Sequence, residues 1–160
     1  MNPMAMVLGT ALATPASEFA ARHQRPVVVA HRGASALAPE NTVAAIEAAI
    51  AVGAKAVEFD IRESADGEIV VIHDATLART TSGHGRVHHT TWPSMQELDA
   101  GSWFDPTFRG ERIPSLGDAL DAIGDRAIAA IEIKSSGDLV VRIRRALEER
   151  GMLDRAIIFS

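Results

Sequence analysis

The chain has 160 residues, of which 47% are hydrophobic and 23% charged, and its formal net charge is -5. These values predict one soluble globular domain with a sizeable core, and the acidic balance argues against a nucleic-acid-binding protein with a broad basic surface. The sequence has no cysteine, which excludes disulfides and thiolate metal sites. It also has no apolar run of the ~18 residues that a transmembrane helix needs.

The first 26 residues are predicted to form an N-terminal extension that precedes the folded domain. The stretch from Met4 to Ala13 is apolar and is followed by small residues, as in a secretory signal peptide, but no basic residue precedes it. This pattern favours a leading helix over a signal peptide. It therefore favours a cytoplasmic protein over a secreted or periplasmic one.

The folded domain is predicted to begin with a strand, a helix and a second strand. Val27–Ala30 is a short continuous apolar run, which is typical of a strand covered on both faces. Asn41 or Thr42 can cap a helix that ends near Val52. The next apolar run begins at Ala56. This order of elements is the repeating unit of a parallel α/β fold.

Two acidic residues interrupt the apolar run that begins at Ala56. Glu58 and Asp60 alternate with apolar residues, and successive side chains of a strand point to opposite faces, so the two carboxylates share one face. Two acids on one face of a buried strand are unfavourable unless a cation or hydrogen-bond donors compensate them. A hard divalent cation is the simplest compensation, and a solvent-facing strand edge is the alternative.

Asp66 and Gly67 predict a two-residue hairpin turn after this strand. With these two residues in the turn, Asp60 lies directly opposite His73, and directly opposed residues share a face. The register therefore predicts an imidazole beside the two carboxylates. A hairpin makes the two strands antiparallel, which an ideal (β/α) barrel does not contain. The prediction thus implies either a locally irregular barrel or a wider turn.

The region from Ala75 to Arg112 is predicted to be a long excursion from the regular elements, because it is non-repetitive and rich in Thr, Gly and Pro. It contains a short helix for which Ser94 and Glu97 match a capping box. Much of the aromatic content of the chain also lies in this region. An excursion of this length is usually either functional or a small insertion.

Helices and strands alternate again after this excursion. The patterns predict a helix over 115–124, a buried strand over 127–134 and an amphipathic helix over 138–150. A further strand begins at Ala156, close to the last residue of the sequence. The sequence therefore predicts an α/β fold that stops after about its fifth strand.

Charged and imidazole side chains recur where the predicted strands end. They are His31, Arg32, Glu58, Asp60, His73, Glu132 and Lys134. Residues that converge from the ends of several strands are typical of the catalytic face of a (β/α) barrel. Three carboxylates suit Mg²⁺ or Ca²⁺, an arginine and a lysine suit a phosphate, and two histidines supply an acid and a base. The set predicts metal-assisted phosphoryl transfer or phosphodiester cleavage.

Eight motifs follow one another along the chain. They are His31-Arg32-Gly33, Pro39-Glu40-Asn41-Thr42, Glu58-x-Asp60, Asp66-Gly67, His73-Asp74, Leu77-x-Arg79-Thr80-Thr81, Ile113-Pro114-x-Leu116 and Glu132-x-Lys134. In order and spacing they resemble the glycerophosphodiester phosphodiesterase family. The resemblance implies a TIM-type (β/α) barrel of the phospholipase C-like phosphodiesterase type. Residues 27–160 would be the N-terminal portion of this domain, with a small insertion at about 75–112.

The resemblance also implies a role for each side chain. It implies a metal-binding set of Glu58, Asp60 and Glu132, an acid/base pair of His31 and His73, and a phosphate-binding pair of Arg32 and Lys134. The metal would be one Mg²⁺ or Ca²⁺, and Glu40 would lie next to it. The implied reaction is hydrolysis of a glycerophosphodiester to an alcohol and sn-glycerol 3-phosphate. The resemblance leaves open which histidine protonates the leaving alcohol.

Two alternatives to this function follow from the sequence. A lysophospholipase D-like or sphingomyelinase D-like phosphodiesterase would need an exposed apolar entrance, to which Trp92, Trp103 and Phe104 could contribute. The other alternative is a catalytically incompetent half-barrel, because family domains continue past the strand that begins at Ala156. Open strand edges in such a half-barrel predict self-association. The expected partner is a small-molecule substrate, with neither a nucleic acid nor a transmembrane segment.

Overall fold

The computed structural model describes residues 28–135 and 138–160, and five strands and four α-helices lie within these residues. The strands are β1 (Val29–Ala30), β2 (Ala56–Glu63), β3 (Ile69–Val71), β4 (Ile128–Ile133) and β5 (Ala156–Phe159). The helices are α1 (Val43–Ala51), α2 (Trp92–Gln96), α3 (Leu116–Ile123) and α4 (Leu139–Glu149). The predicted extension 1–26, with its signal-like stretch, lies outside the described residues. No helix in the described ranges has the length and apolar character to cross a membrane.

Four of the strands form a parallel sheet in the order β1-β2-β4-β5. β4 pairs along one edge of β2 over residues 56–61. β1 and β3 share the other edge, where β1 pairs with residues 56–57 and β3 runs antiparallel to residues 61–63. The parallel α/β class predicted from the sequence is therefore confirmed, with one antiparallel irregularity.

The turn between β2 and β3 is one residue wider than the sequence predicted. Ser64 faces Glu68, so three residues lie between them, and the Ser64 hydroxyl accepts the Glu68 N–H at 2.8 Å. The Ile72 N–H donates to the Asp60 carbonyl at 2.9 Å. The predicted pairing of Asp60 with His73 is therefore wrong by one residue. Both implied departures from an ideal barrel are present, namely the irregular strand and the wider turn.

Side-chain caps fix the starts of two helices that flank the sheet. Thr42 rather than Asn41 caps α1, and its hydroxyl accepts a backbone N–H of the first turn at 3.2 Å. Ser115 and Asp118 form a reciprocal capping box at α3. By contrast, the predicted capping box of Ser94 and Glu97 is wrong, because α2 already begins two residues before Ser94.

Two apolar clusters hold the sheet, the helices and the predicted insertion, residues 75–112, together. The main cluster lies between the sheet and α1, α3 and α4, with Phe59 and Ile131 at its centre, both fully buried. The second cluster lies under the insertion and includes Leu77 and Met95. β3 contributes to both clusters, because its alternate side chains point to opposite faces. The insertion is thus packed onto the domain through β3.

Candidate active site

The ends of β2 and β4 bring the three predicted carboxylates together. Asp60 pairs with Glu132 in the parallel register, and Glu58 lies two residues before Asp60 on the same face. One ligand oxygen from each residue lies within 4.8 Å of the others. Glu58 and Asp60 are buried, whereas Glu132 is partly exposed. Among the residues that the structure describes, this is the one acidic or histidine cluster that could hold a metal ion.

The protein compensates this acidic cluster only in part. Glu58 Oε1 and Asp60 Oδ1 are buried and accept no hydrogen bond from the described residues. Burial raises the pKa of Glu58; the Arg32 backbone N–H lowers it, and the neighbouring carboxylates raise it further. Buried carboxylate oxygens without donors are suitable ligands for a hard divalent cation. The cluster therefore fits such a cation.

Arg32 contacts the cluster through both its backbone and its side chain. Its N–H donates to Glu58 Oε2 at 2.7 Å. Its Nη1 donates to Glu40 Oε1 at 2.9 Å, and its Nε lies 3.4 Å from Asp60 Oδ2. The backbone of Arg32 has a positive φ of 57°, which is uncommon for a residue other than glycine. The next residue, Gly33, lies so close to α1 that a Cβ atom would be 2.6 Å from the helix backbone.

Asn41 belongs to the site, although the sequence predicts no role for its side chain beyond a possible helix cap. Its Nδ2 donates to Asp60 Oδ2 at 2.8 Å, and its Oδ1 accepts the Asp60 N–H at 3.2 Å. Asn41 is 4% exposed and has a φ of 59°, a conformation that asparagine adopts more readily than most residues. Its place in the Pro39-Glu40-Asn41-Thr42 motif was the signal that could have identified it.

Lys134 lies just after β4 and contacts two members of the acidic cluster. Its Nζ donates to Glu132 Oε1 and lies 3.4 Å from Asp60 Oδ1. The hydrogen bond with Glu132 is the main cause of a raised pKa for the Lys134 ammonium. Lys134 therefore carries a positive charge at neutral pH, directly beside the carboxylates.

The two candidate histidines have different surroundings. His31 Nε2 lies 3.9 Å from Glu58 Oε2, and its side chain is 67% exposed. His73 Nδ1 lies 2.7 Å from Asp74 Oδ1, and its side chain is 32% exposed. Within the described ranges, no ion pair or hydrogen bond joins the His73 ring directly to the three carboxylates. The structure thus places His31 beside the cluster and His73 on the segment that follows β3.

A series of ion pairs connects His73 with the acidic cluster. It runs from Asp74, the partner of His73, through Arg79 to Glu40, and from there to Arg32. Hydrogen bonds from Arg79 hold the pKa of both Asp74 and Glu40 below the usual range. Asp74 and Arg79 belong to two sequence motifs, but the spacing of these motifs does not predict the contacts of the two side chains.

Comparison with known proteins relates the chain to one family of phosphodiesterases. The profile described as the Glycerophosphoryl diester phosphodiesterase family matches residues 31–148. A glycerophosphodiester phosphodiesterase of Caldanaerobacter subterraneus is 43% identical over 141 residues, which cover 85% of this chain and 58% of that relative. A glycerophosphodiester phosphodiesterase of Bacillus subtilis is 40% identical over 119 residues, which cover 69% of this chain and 41% of that relative.

Solved structures show the same similarity. The glycerophosphodiester phosphodiesterase of Agrobacterium tumefaciens matches with a TM-score of 0.81 at 42% identity, over 85% of this chain and 58% of that chain. An Oleispira antarctica phosphodiesterase, solved in complex with the product sn-glycerol-3-phosphate, matches with a TM-score of 0.73 at 37% identity, over 78% of this chain and 53% of that chain. The chain thus spans less than two thirds of each relative, and its sheet is part of a TIM-type barrel. Because the family profile matches most of its length, the chain belongs to the glycerophosphoryl diester phosphodiesterase family.

Proposed function

We propose that this chain acts in the hydrolysis of glycerophosphodiesters to an alcohol and sn-glycerol 3-phosphate. The observation that carries the proposal is the cluster of Glu58, Asp60 and Glu132, which lies directly beside the cations Arg32 and Lys134. The chain spans 58% of its Caldanaerobacter relative, so activity of these 160 residues alone is part of the proposal.

The three carboxylates would hold one divalent metal ion, either Mg²⁺ or Ca²⁺. Both ions prefer oxygen ligands, and the site offers buried oxygens of Glu58 and Asp60 that accept no hydrogen bond in the described chain. The bound ion would supply positive charge to the phosphate oxygens of the substrate. Glu132, the most exposed of the three, would complete the set from the neighbouring strand.

Arg32 and Lys134 would bind the substrate phosphate. The Arg32 side chain is 19% exposed, and its Nε lies 3.4 Å from Asp60 Oδ2, so the guanidinium lies at the edge of the acidic cluster. A guanidinium can donate to two phosphate oxygens at once, whereas the Lys134 ammonium acts as a compact point charge. Both groups lie at the acidic cluster, so a phosphate bound there would be close to both cations.

His31 and His73 would exchange protons with the reacting groups. In hydrolysis, the bond between phosphorus and the alcohol oxygen breaks, and this oxygen takes up a proton while the nucleophile loses one. His73 is held through Nδ1 by Asp74, which leaves its Nε2 available. His31 is exposed next to Glu58, where it can reach a bound substrate. Separate His31→Gln and His73→Gln variants would assign the two roles.

The direct test is release of glycerol 3-phosphate from glycerophosphocholine by the 160-residue chain, with Mg²⁺ or Ca²⁺ and with EDTA. We expect metal-dependent release that falls at least ~100-fold in Glu58→Gln, because this change removes a ligand charge and keeps the side-chain shape. Glu47→Gln is the matched control, since Glu47 is an exposed residue of α1 that pairs with Arg126. Lysophosphatidylcholine in the same assay tests the alternative lysophospholipase D-like activity.

Calorimetric titration with Mg²⁺ and Ca²⁺ supplies a readout that does not depend on catalysis. We expect binding to the wild type and to Glu47→Gln, and no binding to Glu58→Gln. Release that persists in EDTA, or equal metal binding by Glu58→Gln, would contradict the proposed site. Metal binding without release by the folded wild-type chain would overturn the proposal that these residues are active alone.

A further inference from the structure

Arg79 is a charged residue of the insertion for which the proposed reaction has no role so far. Its Nη1 and Nη2 donate to Glu40 Oε2 and Oε1 at 2.9 and 2.8 Å. Its Nε and Nη2 donate to Asp74 Oδ2 and Oδ1 at 2.7 and 3.0 Å. We infer that Arg79 is a positioning residue that holds Asp74 against His73 and Glu40 against Arg32. The inference rests on the proposed function, because it concerns the acid/base and phosphate-binding groups of that site.

The contact with Asp74 determines how the His73 ring is held. Asp74 Oδ1 lies 2.7 Å from His73 Nδ1. Asp74 is ionised at neutral pH even at the usual pKa of an aspartate, and the hydrogen bonds from Arg79 lower its pKa further; what Arg79 adds is a fixed position for both Asp74 oxygens. An ionised carboxylate only accepts hydrogen bonds, so Nδ1 carries the proton in this contact. Arg79 thereby helps to fix the tautomer that leaves Nε2 available to the substrate.

The contact with Glu40 orients the other side of the site in the same way. Glu40 Oε1 accepts hydrogen bonds from both Arg79 Nη2 and Arg32 Nη1. The Glu40 side chain is 13% exposed, so its charge depends on these two guanidinium groups for compensation. This shared carboxylate fixes Arg32 with its Nε 3.4 Å from Asp60 Oδ2. The Arg79 guanidinium therefore orients two groups of the candidate site, namely His73 through Asp74 and Arg32 through Glu40.

The turn that carries Arg79 is itself anchored on both sides. Leu77 is buried in the cluster under the insertion, and its N–H donates to the Gly85 carbonyl at 3.0 Å. The Thr81 hydroxyl donates to the Leu77 carbonyl at 2.7 Å and accepts the Gly83 N–H at 3.0 Å. A fixed turn reduces the conformational entropy that Arg79 loses when it binds two carboxylates. The Leu77-x-Arg79-Thr80-Thr81 motif thus has a physical explanation.

The protonation pattern of His73 tests this inference without any need for turnover. ¹⁵N NMR of the imidazoles in the full chain, assigned with His73→Gln, should show His73 protonated at Nδ1 at neutral pH. In Arg79→Gln we expect this hydrogen-bonded Nδ1 proton to be lost, as in Asp74→Asn. Arg86→Gln is the matched control and should retain the wild-type spectrum, because Arg86 is exposed in the same insertion and its side chain has no hydrogen-bond partner within 28–135 and 138–160.

Arg79→Lys separates the geometry of the guanidinium from its charge. Lysine keeps the charge but lacks the planar fork that spans two carboxylates, so we expect the His73 signal to change in this variant as well. It also serves as the folded variant if Arg79→Gln does not fold. A wild-type His73 spectrum in either folded variant would overturn the inference.

Kinetics provide a second readout. We expect Arg79→Gln to lower kcat for glycerophosphocholine by about 10- to 100-fold, because His73 is no longer oriented, and to raise KM to a smaller extent, because Glu40 no longer holds the phosphate-binding Arg32. Guanidinium ion should restore part of the activity of Arg79→Ala but not that of Asp74→Asn. An inactive wild type would contradict the proposed function, while the NMR comparison still decides the role of Arg79. An active wild type matched by an equally active Arg79→Gln would refute the role of Arg79 alone.

Discussion

At the scale of single residues, the site depends on side chains that neutralise or orient buried carboxylates. Asp60 is fully buried, and three groups surround it: Asn41, Arg32 and Lys134. Asn41 differs from the two cations because it satisfies both a carboxylate oxygen and the backbone N–H of the same residue. It therefore fixes the position of Asp60 without any net charge.

Removal of the Asn41 side chain is predicted to destabilise the fold. Asn41→Gly removes both hydrogen bonds and tolerates the positive φ, so it isolates the loss of the contacts. We expect the free energy of unfolding to fall by about 1–3 kcal/mol, because a buried acceptor and a buried donor are left unsatisfied. Urea denaturation measures this change. Gln96→Ala removes one hydrogen bond to a neutral carbonyl and should cost less; an equal loss in both variants would contradict the role given to Asn41.

At the scale of elements, the sequence predicted what lies on strands better than what lies on loops. Glu58, Asp60 and Glu132 came together as predicted because strand periodicity and parallel pairing determine their face. The hairpin register was wrong because one serine hydroxyl closes a wider turn, a contact that no periodicity encodes. The Arg79 contacts join residues up to 39 positions apart, so local spacing could not predict them.

The loop between β1 and α1 offers a test of how tightly an element positions the site. In Gly33→Ala the new Cβ atom would lie 2.6 Å from the α1 backbone at a φ of 76°, so both packing and backbone strain oppose it. Gly53→Ala is the matched control, because its φ is 84° but nothing lies within 4 Å of the new atom. We expect Gly33→Ala to cost about 1–3 kcal/mol more than its control in urea denaturation, which is the usual penalty for overpacking. An equal loss of unfolding free energy in Gly33→Ala and Gly53→Ala would mean that the loop between β1 and α1 can shift to accommodate the new Cβ atom.

At the scale of the whole molecule, the described chain combines a well-packed core with open sheet edges. In the described residues, β1 and β5 each have one edge without a partner strand, and Val28 and Phe159 are exposed nearby. Self-association through these edges stays a prediction. Charge is distributed unevenly, since the acidic cluster lies inside the fold while several arginines link distant segments at the surface. The buried carboxylate of Glu58 and the arginine-paired carboxylates of Asp74 and Glu40 should respond to acid in opposite ways.

The pH dependence of stability should show these opposite responses. Burial is the main cause of the raised pKa of Glu58. The charged form of Glu58 therefore destabilises the metal-free folded state at neutral pH, and this destabilisation is relieved as the pH falls through the folded-state pKa. Asp74 and Glu40 have lowered pKa values, chiefly through Arg79, so their stabilisation is complete above the unfolded-state values of 3.8 and 4.5 and is lost as pH falls further.

We therefore expect the free energy of unfolding in EDTA to change little or rise from pH 7 to 5, and to fall from pH 5 to 3. Urea denaturation at the three pH values measures both intervals. Glu58→Gln should remove the contribution of Glu58 to any rise in the free energy of unfolding between pH 7 and 5. Arg79→Gln should reduce the fall between pH 5 and 3, because Asp74 and Glu40 lose the guanidinium that lowers their pKa values. Each variant leaves the other titrating groups in place. If the pH profile of Glu58→Gln ran parallel to that of the wild type, burial of a charged Glu58 would not oppose folding, and one argument for a cation at this site would fail.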